Sequence, residues 1–101
     1  MFRGTTPILQ FNLPFSVSNI SKLYITGKQY DVVVLEKDLS DCIVNDTSVS
    51  LKLTQEETLM FPTGNALVQI NWTIQEGNVT KRIATEIKRI ESCRNLKEEV
   101  I

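Results

Sequence analysis

An all-β fold, a single antiparallel sandwich of about seven strands spanning residues 1–101, is what this sequence predicts. Three observations carry the prediction. Apolar and polar residues alternate with period two through most of the chain, as strands with one wet face require. Turn-forming residues interrupt the alternation every 8–12 residues or so, the spacing of a sandwich or barrel. At 101 residues the chain is long enough to bury one core and too short for two.

The elements follow in order. Pro7 to Leu13 puts Leu9, Phe11 and Leu13 on one side and stops at Pro14. Ile20 to Thr26 contributes Leu23 and Ile25. Tyr30 to Lys37 is rich in β-branched residues and reads as a more fully buried strand. Asp41-Cys42-Ile43-Val44 is a short run that ends at Asn45-Asp46, side chains that stabilise a tight turn by bonding their own backbone. Thr47 to Leu53 alternates cleanly, with Val49, Leu51 and Leu53 opposed to Ser48, Ser50 and Lys52.

Thr54-Gln55-Glu56-Glu57 then spells a capping box, in which the Thr54 hydroxyl accepts from the Glu57 N–H and the Glu57 carboxylate reaches back to Thr54. One helical turn should follow and end before Pro62. Asn65 to Gln75 resumes the alternation with Ala66, Val68, Ile70, Trp72 and Ile74 on the inner side, which makes Trp72 a core anchor. Beyond Gly77-Asn78 two readings compete. Ile83, Thr85 and Ile87 alternate as in a strand, whereas Ile83, Ile87 and Ile90 are spaced as on a helix, and Lys81 to Val100 is rich in helix formers. The hairpin signal favours a strand through about Ile90, followed by a polar tail or short C-terminal helix from about residue 91.

Composition narrows the function classes. With 42% hydrophobic and 23% charged residues, neither disorder nor a membrane-spanning class fits. Five basic residues face eight acidic ones through Thr80, and six face four from Lys81 onward. That mild asymmetry lacks the basic stripe of a nucleic-acid surface. The first residues have no apolar core of a secretory signal, so a protein made in the cytoplasm and left unprocessed is expected. Sequons at Asn19, Asn45, Asn71 and Asn78 are then read as turn and strand-face residues. Cys42 and Cys93 are expected to be reduced and structural.

No histidine is present, and no nucleophile elbow, phosphate-binding glycine loop or spaced metal-ligand set occurs. Glu56 and Glu57 are adjacent, so on a helix they diverge and serve the cap instead of acid–base chemistry. The expectation is a noncatalytic protein with no catalytic, metal or cofactor-binding residues. Function is expected at sheet edges and chain ends, with Met1, Phe2, Arg3, Val100 and Ile101 as the candidate interface residues.

Arg3-Gly4-Thr5-Thr6-Pro7 with Phe11 and Leu13-Pro14-Phe15, the later Cys42, and Lys52-Leu53-Thr54-Gln55-Glu56-Glu57-Thr58 followed by Phe61 resemble a family. It comprises small proteins of about 100 residues encoded among virion structural genes of phages and prophages of gut Firmicutes. The resemblance covers about residues 3–75; the charged, helix-prone stretch Lys81 to Glu99 departs from the plain closing strand of that family. It implies a virion building block with an immunoglobulin-like sandwich, by analogy with phage decoration, head-tail and baseplate domains, and no residue-level activity.

The implied partners are other virion proteins or further copies of the chain, with no nucleic acid, membrane or small-molecule substrate, and the implied location is the virion. A second reading is a module that binds a host-surface glycan or protein through loop aromatics, for which Phe15, Tyr30 and Phe61 are the candidates. A third is a small prophage-encoded intracellular regulator.

Overall fold

The computed structural model describes residues 1–101. Eight strands form two antiparallel sheets that face one another. One sheet holds β1 (Ile8–Asn12), β4 (Ile43–Val44) and β5 (Ser48–Lys52) in the order β1-β5-β4. The other is built on β2 (Ile20–Gln29), β3 (Val32–Asp38), β6 (Gly64–Glu76), β7 (Val79–Ala84) and β8 (Lys88–Ser92). Its order is β3-β2-β6, with β7 and β8 paired to successive stretches of the free side of β6. Helix α1 (Gln55–Leu59) carries the chain from one sheet to the other.

The period-two pattern sets which side chains meet. Along β2, Leu23 and Ile25 point inward while Lys22, Tyr24 and Lys28 point out. Along β6, Ala66, Val68, Ile70 and Trp72 are buried, and antiparallel register sets Leu23 beside Trp72 and Ile25 beside Ile70. Phe11, Leu13, Val49, Leu51 and Leu53 close over them from the smaller sheet. Trp72 is 3% exposed and anchors the core as expected, its ring 5.5 Å from that of Phe15. Burial of side chains of this size contributes about 1.5–3 kcal/mol each.

The capping box forms as spelled. Thr54 Oγ1 accepts from the Glu57 N–H at 3.2 Å, and Glu57 Oε1 accepts from the Thr54 N–H at 2.9 Å. A second box, from Asp38 to Asp41, closes a 3₁₀ turn at Leu39–Asp41 between β3 and β4.

The strand count is eight, in keeping with the about seven expected, because the last strand is broken in two. Three expectations are corrected. The expected buried strand from Tyr30 begins at Val32 and is an edge, with Val32 and Val33 62% and 48% exposed and only Leu35 buried. Hydrophobic, β-branched composition does not distinguish a central strand from an edge. Tyr30 and Asp31 form the two-residue hairpin turn, both with positive φ (52° and 62°), the geometry that matches the twist of the flanking strands. Tyr30 is held there by its hydroxyl, which donates to Thr63 O at 3.1 Å. It lies over Gly64, where a Cβ would meet that oxygen at 2.7 Å.

The C-terminal segment forms no helix: β8 runs to Ser92, and the tail after it is extended or turned. Pairing with β6 over Lys88–Ser92 satisfies the backbone groups of alternate residues there and holds the segment extended. Finally, Ile83, Thr85 and Ile87 do not share one face. Ala84 lies opposite Asn71 and Lys88 opposite Val68, so three residues of the edge, Thr85 to Ile87, oppose two of β6. That is a β-bulge, and it reverses the in–out parity of everything after it.

Thr58, fully buried, joins α1 to the N-terminal segment. Its hydroxyl donates to Thr5 O at 2.8 Å and accepts from the Gly4 N–H at 3.0 Å. Thr58→Val keeps the shape and strands both backbone groups, so urea denaturation should show a loss of about 1–3 kcal/mol. Thr58→Ser, which retains the hydroxyl, should lose less; equal losses would show that the hydroxyl contributes nothing.

Candidate functional site

The candidate interface residues gather along a seam between the two ends of the chain. Met1 to Arg3 lies parallel to the end of β8, with Cys93 N–H donating to Met1 O at 2.7 Å and Arg3 N–H to Cys93 O at 3.0 Å. Arg3 is the clamp. Its Nε donates to Phe61 O at 2.8 Å, Nη2 to Leu59 O at 2.9 Å and Nη1 to Glu98 Oε2 at 2.8 Å. Leu59 is the last residue of α1, so the guanidinium supplies a donor, and a favourable charge, where helical carbonyls run out of partners.

The tail is held by two side-chain devices. Asn95 accepts from the Lys97 N–H and donates through Nδ2 to Arg3 O at 3.0 Å, an Asx turn that doubles as a staple. Gln55 exchanges both amide bonds with Ile101, donating to its carbonyl at 3.0 Å and accepting from its N–H at 2.8 Å. The Glu98 carboxyl is held below the usual carboxylate range, chiefly by the Asn95 N–H and also by Arg3.

The five candidates therefore divide. Met1 packs its side chain against the core, and Arg3 spends its guanidinium on internal bonds. Phe2, Val100 and Ile101 stay open to solvent at 59%, 52% and 85%. Leu96, at 96% exposed, is a further apolar side chain on the tail that the sequence reading passed over; no periodicity marks a lone leucine among charged residues.

A second candidate surface lies on the outer face of the larger sheet. Tyr24 stands opposite Asn71, Thr26 opposite Gln69, and Arg82 opposite Thr73. Arg82 donates through Nε and Nη2 to Asn71 Oδ1 at 3.3 and 3.2 Å. Two adjoining depressions of about 200 and 360 Å³ share Thr26, Asn71 and Arg82; Lys22, Tyr24 and Glu36 border one, Lys28 and Leu67 the other. Amides, hydroxyls, a phenol and three cations against one carboxylate form a hydrogen-bonding floor suited to polyols and acidic groups. Of the loop aromatics, Phe15 packs on Trp72 and Phe61 is buried, leaving only Tyr30 exposed.

No group of three or more His, Cys, Asp or Glu side chains is placed to hold a metal ion, and no helix is long and apolar enough to cross a membrane. Cys42 and Cys93 are both unpaired; burial pushes the Cys42 thiol pKa up, and Asp41 and Asp38 push the same way.

No protein-family model, curated protein or solved structure matches the chain. The residues themselves are thus the whole basis for a functional reading.

An ion pair of Lys37 Nζ with Glu57 Oε2 at 2.5 Å ties the edge strand β3 to the crossing helix α1. The hydrogen bond to Glu57 raises the Lys37 pKa. Burial pushes the Glu57 carboxyl up, but Lys37 and the Thr54 N–H together outweigh it and hold the carboxyl low.

Two predictions follow from these bonds. Arg3→Lys keeps the charge but cannot reach both carbonyls and Glu98 in one fork, so chemical denaturation should show a loss of about 1.5–3 kcal/mol, with faster amide exchange at Arg3 and Cys93; unchanged exchange would count against the clamp. The depressed Glu57 pKa contributes stability present above the ordinary glutamate value of about 4.3 and lost as pH falls through its folded value. The raised Lys37 pKa contributes stability present below about 10.4 and lost as pH rises through its folded value. Glu57→Gln should therefore flatten the acid limb of the stability profile, as read from thermal midpoints between about pH 2 and 7.

Proposed function

We propose that this chain is a noncatalytic structural or accessory component of a bacteriophage particle, acting through repeated contacts with neighbouring subunits. The observation that carries the reading is the combination of sewn-down ends with an apolar rim. Both ends are bonded to the body at Arg3, Asn95 and Gln55, giving a rigid block. Exposed apolar side chains cluster on edges, at Ile8 of β1 and Ile43 and Val44 of β4, and on the tail at Leu96 and Ile101.

Rigid blocks lose little conformational entropy on docking, and many copies multiply a modest contact through avidity. The resemblance of Arg3-Gly4-Thr5-Thr6-Pro7 and Leu53-Thr54-Gln55-Glu56-Glu57-Thr58 to phage virion-module proteins supports assigning that role to a virion. The immunoglobulin-like reading is supported by strand order: β1-β5-β4 facing β3-β2-β6-β7 corresponds to B-E-D facing C′-C-F-G, with the first edge strand missing.

The sheet-face depressions favour one other reading, a glycan-binding module that uses Tyr24, Asn71 and Arg82 instead of loop aromatics. The two readings separate by experiment. Quantitative mass spectrometry of purified particles should find the chain at a fixed ratio to the major capsid or tail protein, and a map of the particle should locate it between subunits. Its absence from particles, with Tyr24-dependent binding on a glycan array, would reject the structural role and select the second reading.

A further inference from the structure

The sandwich has four lateral edges, and three are visibly protected against strand addition. β4 is two residues long. β3 is bulged, since Leu35 lies opposite Gly27 but Val33 opposite Lys28, leaving Val34 unmatched; it also carries Glu36, Lys37 and Asp38. The β7–β8 edge is bulged at Thr85 to Ile87 and bears Lys81, Arg82, Lys88 and Arg89. Charge, bulges and brevity are the usual devices that stop a sheet edge from pairing. β1, Ile-Leu-Gln-Phe-Asn, has none: it is regular over five residues and carries no charge.

Its hydrogen-bonding parity is set at both ends. Leu53 N–H donates to Pro7 O at 3.0 Å and Leu13 N–H to Thr47 O at 2.8 Å. In an antiparallel ladder only alternate residues face a given neighbour, so Leu9 and Phe11 bond β5 while Ile8, Gln10 and Asn12 turn their N–H and C=O groups outward. No other strand pairs with β1. The side chains of these three residues are exposed on the outer face of the sheet.

We infer that β1 is a homodimerisation edge, on which a second copy of this chain pairs antiparallel about a two-fold axis through Gln10. The edge is complementary to itself in one register. With Gln10 opposite Gln10 of the second copy, Ile8 of each chain meets Asn12 of the other, and all three outward residues exchange both of their backbone bonds. Sliding toward the C-terminus sets Ile8 against Pro14, which has no N–H. Sliding the other way reaches Thr6, which lies outside the strand behind Pro7.

Because the segment is uncharged, the two-fold brings no like charges together, the usual obstacle to self-pairing of an edge. The two three-stranded sheets then form one continuous six-stranded sheet with the order β4-β5-β1-β1-β5-β4. Five residues per chain form a small interface, so the affinity is modest, with a Kd on the order of 10–100 µM. The inference is independent of the phage reading.

Sedimentation of the full chain over increasing concentration tests it, with two substitutions at the exposed two-fold residue. Wild type should pass from monomer to dimer, with exchange slowed at the Ile8, Gln10 and Asn12 amides in the dimer. Gln10→Lys and Gln10→Glu each set like charges face to face and should weaken the dimer at least ~10-fold, with circular dichroism unchanged. Mixing the two should restore a heterodimer. A wild-type chain that stays monomeric to roughly millimolar concentration, a dimer that Gln10→Lys leaves intact, or a mixture that fails to pair would each overturn the proposal; the first would leave the edge to a strand from a different protein.

Discussion

The ladder between β2 and β6 is the constraint on which the other elements depend. It sets the inward pairs Leu23 with Trp72 and Ile25 with Ile70, and the smaller sheet has no other surface on which to bury Phe11, Val49 and Leu51. It also occupies one flank of β6 along Leu67 to Ile74, so that β7 and β8 can only add on the opposite flank. A register slip of one residue in this ladder would turn the inner row out and bring Lys22, Tyr24 and Lys28 into the core. The polar outer face is therefore a by-product of the same alternation that builds the core. Its array of Tyr24, Asn71 and Arg82 exists because Leu23, Ile70 and Trp72 point the other way.

What the ladder does not secure is the end of the sandwich where α1 crosses between sheets. There the structure turns from burial to directed bonds. Arg3 takes up carbonyls of Leu59 and Phe61, Thr58 takes up Gly4 and Thr5, and Ser92, itself buried, donates to Phe61 O at 3.2 Å. Each of these bonds joins residues more than 30 positions apart. They convert an irregular crossing into part of the rigid body, and they explain why Met1 and Arg3 are committed internally while Phe2 remains open.

Much of the fold was legible because its determinants are local. Alternation at Val49, Leu51 and Leu53 and from Ala66 to Trp72 named the inner rows correctly, and the box at Thr54 to Glu57 could be read from four consecutive residues. The misreadings share one cause. The exposure of β3 depends on there being no neighbour beyond it, which Val32 to Val34 do not encode. The spacing of Ile83 and Ile90 looked helical, yet both lie on the inward side of one edge because the bulge between them shifts parity by one. Of the candidate site, the apolar residues at the ends were visible in the sequence. The partners of Arg3 and the sheet-face depressions were not, since they arise from strands brought together by tertiary pairing.

That bulge gives the closing strand something like a reading frame. Removing one residue from Thr85 to Ile87 would only erase the bulge, leaving two residues opposite Gln69 and Ile70 and keeping Lys88 opposite Val68 and Ile90 opposite Ala66. Removing two would leave one residue to span both positions, and each residue after it would be read on the wrong side: Ile90 would go to water, and Arg89 and Glu91 would be presented to the core. A single deletion in this stretch is thus tolerated and a double one penalised, a rule that applies although Glu86 and Ile87 are themselves exposed and bury almost nothing.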